Sequence, residues 1–304
     1  MEAVENEAHG GQKGVGPDRV LSRARLRREL WILVNEYLVG GYLSHLINAP
    51  MYFFLSHLSF SDILLTTTIG PEMLHFILRE GSAISLSGCF LQFYVFSVSG
   101  INECFLLTVM SYDRYLAICN PLRYSSIMDF KLRILLTSSC WACAIIISLP
   151  HLVLLHKMTF CGSNRINHFY CDFPPLLRLS CSETSTIETV TTINSLPIFF
   201  LPLTVISVTY AKIILAILRI SASAGRQKAF STCSSHLTVV CMYYGTLVFN
   251  YLVPSEGQYL GLQKMVSVCY TIVTPLLNPL IYSLRNEEIK RTITKLIFKN
   301  KLYK

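Results

Sequence analysis

Six blocks of apolar residues, each near the ~20 that carry a helix across a bilayer core, constrain this chain more than any other feature. They occupy residues 51–74, 89–109, 134–154, 187–218, 237–253 and 266–284, with polar stretches between them. Hydrophobic residues make up 52% of the 304 and charged residues only 14%, against roughly 25% charged in soluble domains. A soluble helical solenoid would repeat with a fixed period, and the sequence has no such repeat. The expected class is an all-α membrane protein that crosses the bilayer several times.

Lysine and arginine set the orientation, because short loops rich in them stay cytoplasmic during insertion. Arg114, Arg123, Lys131 and Arg133 follow the second block, and Arg219, Arg226 and Lys228 follow the fourth. Arg285, Lys290, Arg291, Lys295, Lys299, Lys301 and Lys304 follow the last. The opposite loops hold fewer basic residues, offset by Glu80, Asp172, Glu183, Glu188 and Glu256, and are expected outside. The net charge of +8 is therefore a topology signal. Split among loops, it does not build the single basic face that a nucleic-acid partner needs.

Residues 30–47 (LWILVNEYLVGGYLSHLI) decide between six and seven spans. They are long enough, but Glu36 lies near the middle with Asn35, Gly40, Gly41 and His45 around it. A carboxylate at mid-membrane costs a few kcal/mol on insertion scales, so this is a weak first helix. Upstream, RVLSRARLRREL places five arginines where an outside N-terminus would have to translocate them. Residues 1–29 are expected to be disordered, and no cleavable signal pattern is evident.

Of eleven cysteines, Cys161, Cys171 and Cys181 share one outward loop, and Cys89 lies at the outer end of its helix. Outside the cell disulfides persist, and four cysteines allow three pairings. The spacings are too long for a compact zinc knuckle. Enzyme chemistry has no foothold: there is no His-Glu-x-x-His motif, no Gly-rich phosphate loop and no Gly-x-Ser-x-Gly elbow. The lone Asp113-Arg114 pair is an ion pair rather than a catalytic dyad.

Four motifs carry a resemblance. PMYFFLSHLSFSDI (50–63), MSYDRYLAICNPLRY (110–124), KAFSTCSSHLTVV (228–240) and PLLNPLIYSLRN (275–286) together resemble the odorant receptors, a branch of the rhodopsin-like G-protein-coupled receptors. The resemblance covers residue 50 to the tail. It implies a seven-transmembrane helix bundle over residues 30–284, an amphipathic C-terminal helix and tail over 285–304, and a plasma-membrane location. Its partners would be small-molecule odorants, a heterotrimeric G protein of the stimulatory, olfactory type acting through cyclic AMP, and membrane lipids.

By that resemblance, helical spacing counted back from Arg114 turns Phe96, Ser97, Gly100, Ile101 and Cys104 toward an odorant cavity. Asn194, Ser195 and Ile198 join them from the 187–218 block. Tyr244, Leu247, Val248 and Tyr251 join from the next, and Val268 and Thr271 from the last. The set is mainly apolar with a few hydroxyls and one amide, which suits a small neutral ligand. An aminergic ligand is disfavoured because Phe96 stands where a carboxylate would be expected.

The resemblance also implies a latch, Asp113 with Arg114 and Tyr115, facing a G protein that docks on Pro121 and Leu122. Tyr210, Lys228, Asn278, Pro279 and Tyr282 are its expected switch partners. Asp62, Glu103 and Asn278 are costly inside a membrane and are expected to share a sodium ion; no other cofactor or metal is expected. Cys89 is expected to pair with Cys171, and Cys161 with Cys181. Beyond Tyr282, Ile289, Ile293 and Leu296 recur amid Lys290, Arg291, Lys295 and Lys299, a basic amphipathic pattern suited to acidic lipid.

The first helix is where the chain departs from the family pattern, since it lacks both a glycosylation sequon and a Gly-Asn pair. Either residues 30–47 are a degenerate first helix or the segment before Pro50 comes from a different start, and the second is slightly favoured. The competing expectations are therefore an active odorant receptor, a transporter or channel, and a receptor-like product made inactive by its first helix.

Overall fold

The computed structural model describes residues 49–79, 83–161, 165–252 and 259–284, all within the compact unit Ala49–Lys304. The expected first helix at 30–47, the segment 1–29 and the tail 285–304 lie outside the described residues. So do the side chains of Lys228, Tyr251, Pro279 and Tyr282.

The described chain is helical: α1 (Pro50–Arg79), α2 (Leu86–Cys119), α3 (Pro121–Ile127), α4 (Phe130–Lys157), α5 (Phe173–Leu177), α6 (Ser185–Leu218), α7 (Ser223–Leu252), α8 (Tyr259–Val268) and α9 (Thr274–Leu284). A π-helical turn, Cys269–Val273, joins α8 to α9 in one rod. Among the described residues α2, α4 and α6 are long and apolar enough to cross a membrane by length and composition alone. α1 and α7 carry more polar side chains, many of them turned inward, as Ser61, Asp62, Ser235, His236 and Asn250 are.

Several apolar blocks lie within longer helices. α7 begins well before residue 237, and α2 runs past Val109 to Cys119. The reason is that helical hydrogen bonding does not stop where the hydrocarbon does, so the rod continues into the interface with polar side chains. Local signals end it there. The Ser85 hydroxyl accepts from the Gly88 amide at the start of α2, and the Asp129 carboxylate accepts from the Leu132 amide at the start of α4. Pro121 occupies the first turn of α3, where its missing N–H costs nothing.

In the last rod the departure from α geometry lies upstream of Pro279. Pro275 has no N–H for the Thr271 carbonyl, and the turn just before it widens to π. The Thr274 hydroxyl donates back to the Cys269 carbonyl at 3.1 Å. This widening leaves Tyr270 and Thr271 buried in the bundle.

α2 is the central rod, with α1, α4 and α6 packed along it. Leu58, Leu65, Leu106, Leu107, Met110 and Ile213 form the main core with almost no exposure. A second, outer core gathers Phe90, Phe93, Leu155, Leu176 and Ile187 around the Cys89–Cys171 bond. The apolar side chains left exposed on α4 and α6, such as Ile146, Leu196, Phe200 and Leu201, are those a lipid-facing surface requires.

Candidate functional site

The chamber expected from the resemblance begins with Gly100 on α2. The Tyr243 hydroxyl of α7 donates to the Gly100 carbonyl at 2.5 Å, and a Cβ at residue 100 would lie 2.7 Å from the Tyr270 hydroxyl. Glycine is the one residue that leaves both tyrosines their places. One turn along α2, the Cys104 thiol donates to the Ile198 carbonyl at 3.3 Å. Its single proton is thereby used, so the Tyr244 hydroxyl, 2.9 Å away, is the donor to sulfur.

Aromatic rings fill the space between these bonds. Phe96 meets Tyr270 edge-on at 5.9 Å and Tyr170 at 5.1 Å, and Phe199 meets Tyr244 at 5.4 Å. Val268 and Leu247 pack on the same core, and Thr271 is fully buried with its hydroxyl on the Ser267 carbonyl. Ser97, Ile101, Asn194 and Ile198 are half-buried at its margin.

Two expected lining residues point elsewhere. Val248 is 40% exposed. Ser195 is also exposed, and its hydroxyl turns back to the Thr191 carbonyl at 2.6 Å. Counting turns places a residue on a helix face only coarsely, and in α6 the serine satisfies its hydroxyl within its own helix. In exchange the structure supplies Tyr170, Phe199, Tyr243 and Tyr270. Tyr243 neighbours the selected Tyr244, and Tyr270, buried in the π turn, neighbours the selected Thr271.

Below the chamber lies a polar cluster. Asn278 donates to both oxygens of Asp62, at 3.2 and 3.1 Å, and Asp62 also hydrogen bonds with Glu103. Asn102 donates to the Ser61 hydroxyl at 2.6 Å. All are buried, and Glu103 Oε1, Asn102 Oδ1 and the Ser99 hydroxyl have no hydrogen-bond partner. Two carboxyls at this distance cannot both hold a bare negative charge, so a proton or a cation has to lie between them. Hard oxygen donors with one left unpaired are a set that fits a small monovalent cation.

At the cytoplasmic end of α2, Asp113 is fully buried and paired with Arg114, whose Nε donates to Oδ2 at 3.0 Å. The other carboxylate oxygen accepts from the Tyr124 hydroxyl of α3 at 2.8 Å. Burial and the neighbouring Asp113 charge raise the Tyr124 pKa, so its hydroxyl keeps its proton and remains a donor. Asp113 thus ties α2 to the loop helix as well as to Arg114. Leu122, on α3, is 97% exposed, and Pro121 beside it is exposed too. Tyr115 lies under the Lys212 ammonium of α6 at 5.5 Å.

Tyr210 is held inside the bundle rather than at the cytoplasmic face. Its hydroxyl lies 2.7 Å from His236 Nδ1, and the two rings stack 9° from parallel. His236 Nε2 is 3.1 Å from the Leu107 carbonyl. A carbonyl only accepts, so Nε2 carries the proton, Nδ1 is the acceptor and Tyr210 donates to it. α2, α6 and α7 are therefore joined by one side-chain chain through His236, a residue of the KAFSTCSSHLTVV motif to which spacing assigned no role.

The outer loop roofs the bundle. Cys89 is bonded to Cys171 and Cys161 to Cys181, the two pairings expected from the resemblance. Gln92 donates to the Thr68 carbonyl and accepts from the Cys171 amide, so one side chain joins α1, α2 and the loop. The loop also reaches α1 through the Phe76–Phe169 ring contact and α8 through Lys264, which donates to Asn167 at 2.6 Å. His168 lies 3.4 Å from Ser267; burial, helped by the Lys264 cation, pushes its imidazole down to about 4, so it is neutral at pH 7.

Comparison with known proteins agrees with this arrangement. A family model described as olfactory receptor matches residues 43–300. Olfactory receptor 10J4 of Homo sapiens is 44% identical over 253 residues, which cover 83% of this chain and 81% of that protein. Olfactory receptor 5L2 of Homo sapiens is 46% identical over 255 residues, covering 83% and 81%. Olfactory receptor 5P55 of Mus musculus is 45% identical over 253 residues, covering 83% and 82%. With these matches over a helical bundle, the chain belongs to the olfactory receptor family, multi-pass plasma-membrane G-protein-coupled receptors and not enzymes.

Proposed function

We propose that this receptor binds small, neutral, mostly apolar odorants in the chamber between α2, α6, α7 and the π turn, and activates a stimulatory, olfactory-type G protein to raise cyclic AMP. The observation that carries the reading is the chamber's chemistry. Phe96, Phe199, Tyr243, Tyr244 and Tyr270 supply apolar area, and the hydrogen-bonding groups among them are hydroxyls, a thiol and backbone carbonyls. Such a surface binds by burial plus one or two hydrogen bonds and gives a charged ligand no counter-charge. An odorant entering here has to displace the Tyr244–Cys104 contact, which moves α7 relative to α2. The His236 chain below joins those same two helices to α6, and the latch lies at the end of α2.

The same reading assigns a sodium ion to Asp62, Glu103 and Asn278, whose oxygens would hold it and whose charges it would balance. Sodium then favours the packing in which these groups converge. Raising sodium at constant ionic strength should increase the melting temperature of the purified receptor by several degrees, and Glu103→Gln should abolish that increase. A sodium-independent melting temperature would remove the ion from the account.

The test of the function itself is cyclic AMP in cells that express this chain with the olfactory α subunit, across a panel of volatile compounds. A dose-dependent rise with neutral odorants is expected, and Gly100→Leu should eliminate it while surface staining persists. A second reading has one observation behind it. The family match begins at residue 43, and the residues before it include Glu36 within the apolar stretch 30–47. If the chain stays silent while a chimera carrying a regular first helix before Pro50 responds, the bundle is competent and this N-terminal segment makes the product inactive.

A further inference from the structure

The loop helix α3 has two unlike faces. Tyr124 and Ile127, with Met128 just beyond the helix, turn inward at i, i+3 and i+4: Met128 belongs to the main core, and the other two pack against it. Leu122, Ser125 and Ser126 share the same spacing and are exposed, as is Arg123 beside them. The Ser126 hydroxyl folds back on its own helix and donates to the Arg123 carbonyl at 2.9 Å. Such a local bond contributes little to a helix, and the hydroxyl stays at the surface.

The neighbours of Ser126 have the chemistry that a basophilic serine/threonine kinase recognises. An enzyme of this class holds a guanidinium a few residues before the acceptor serine with its own carboxylates, and seats an apolar side chain just after it. Arg123 lies three residues before Ser126, and Ile127 follows it directly. A kinase takes up this pattern as an extended segment, so α3 has to open first. Its 7 residues are fewer than the ~12–15 that an isolated helix needs in water. What holds it closed is tertiary: the packing of Ile127 and Met128, and the Tyr124 hydroxyl on Asp113 at 2.8 Å.

We propose that Ser126 is a phosphorylation site for a basophilic kinase, shielded while Tyr124 is bound to Asp113 and presented when that bond opens. Ser126 Oγ attacks the γ-phosphorus of ATP, the bond from that phosphorus to the bridging oxygen breaks, ADP leaves, and the hydroxyl proton passes to the kinase's base. The product carries about −1.5 to −2 charges at neutral pH, one helical turn from Leu122 on the same face. A partner that buries Leu122 would have to strip water from the phosphate as well, which is costly for an unpaired charge. Phosphorylation therefore closes this face to a G protein. That consequence rests on the function proposed above; the modification itself does not.

The experiment uses the full chain in lipid nanodiscs with ATP and the catalytic subunit of cyclic AMP-dependent protein kinase, and locates the phosphate by mass spectrometry. Phosphate is expected on Ser126. Arg123→Gln should slow its incorporation there at least tenfold, and Arg123→Lys should recover part of the rate. Tyr124→Phe, which releases the tether and keeps the ring, should speed incorporation severalfold. In cells where an odorant raises cyclic AMP, Ser126→Ala should prolong the rise at least twofold. No phosphate on Ser126, phosphate on Ser125 in its place, equal rates in Tyr124→Phe and the parent, or an unprolonged response in Ser126→Ala would overturn the proposal. A chain phosphorylated on Ser126 as expected but silent to every odorant would count against the functional reading alone.

Discussion

The two ends of this bundle are held together in different ways. Toward the cytoplasmic end, buried polar side chains do the joining: Asp113 with Arg114 and Tyr124, and, further inside the bundle, Tyr210 with His236 and His236 with the Leu107 carbonyl. At the outer end, two covalent bonds are added to the hydrogen bonds of Gln92 and Lys264 and to ring contacts: Cys89–Cys171 and Cys161–Cys181, with Phe76–Phe169 and Phe96–Tyr170. Hydrogen bonds in a low-dielectric interior are strong when made and costly when broken singly, so a network of them has two well-separated states. Disulfides and packed rings confine a loop without giving it a second arrangement. On the function proposed above, switching belongs to the inner end and a fixed mouth to the outer end.

The largest effect that can break this comparison is at the mouth. Replacing both Cys89 and Cys171 by Ser opens a closure of 82 residues and should cost about 2–5 kcal/mol, seen as loss of surface delivery. The bond between Cys161 and Cys181 closes only 20 residues, and its double replacement should cost about 1 kcal/mol less by the logarithmic dependence on loop length. If the shorter closure proved the more damaging, chain confinement would not be what the outer disulfides contribute.

A smaller effect tests the inner end. Asp113→Asn keeps the shape but removes the charge that holds both Arg114 and Tyr124. Basal cyclic AMP should rise roughly fivefold to thirtyfold, the equivalent of about 1–2 kcal/mol from charge-assisted bonds. Tyr124→Phe removes only one hydrogen bond, and basal signalling should rise no more than a few fold, for about 0.5–1 kcal/mol. The order of the two matters more than either value. Equal basal activity in both variants and the parent, at equal surface density, would mean that Asp113 stabilises the fold without latching it.

Much of this was legible in the sequence, for identifiable reasons. Adjacent residues cannot avoid one another, so Asp113 and Arg114 at a helix end announce an ion pair. Apolar blocks announce spans because lipid offers backbone groups no other partner than the helix itself. The family motifs extended that to the disulfides and to the Asp62–Asn278 contact, which joins residues far apart in the chain. Ser195 and Val248 failed because helical periodicity gives a face relative to a neighbour's assumed rotation, and packing decides that rotation. Tyr270, beside the selected Thr271, lies in a π turn, which no single residue type marks.

What the sequence determined by itself, then, is local or cumulative: the apolar helical blocks, the lipid-facing character of the chain, the acid-base pair and the oxidisable loop. These follow from transfer energies and from chain neighbours, which need no fold to be known. Tertiary structure alone decided which distant side chains meet. It put Tyr243 and Tyr270 on Gly100, gave His236 its two partners, left Glu103 with an unpaired oxygen, and closed a cavity from a loop and two helix ends. Those meetings depend on helix rotation and loop placement. Both are settled by the packing of the whole bundle, a balance to which every residue contributes and which no short stretch records.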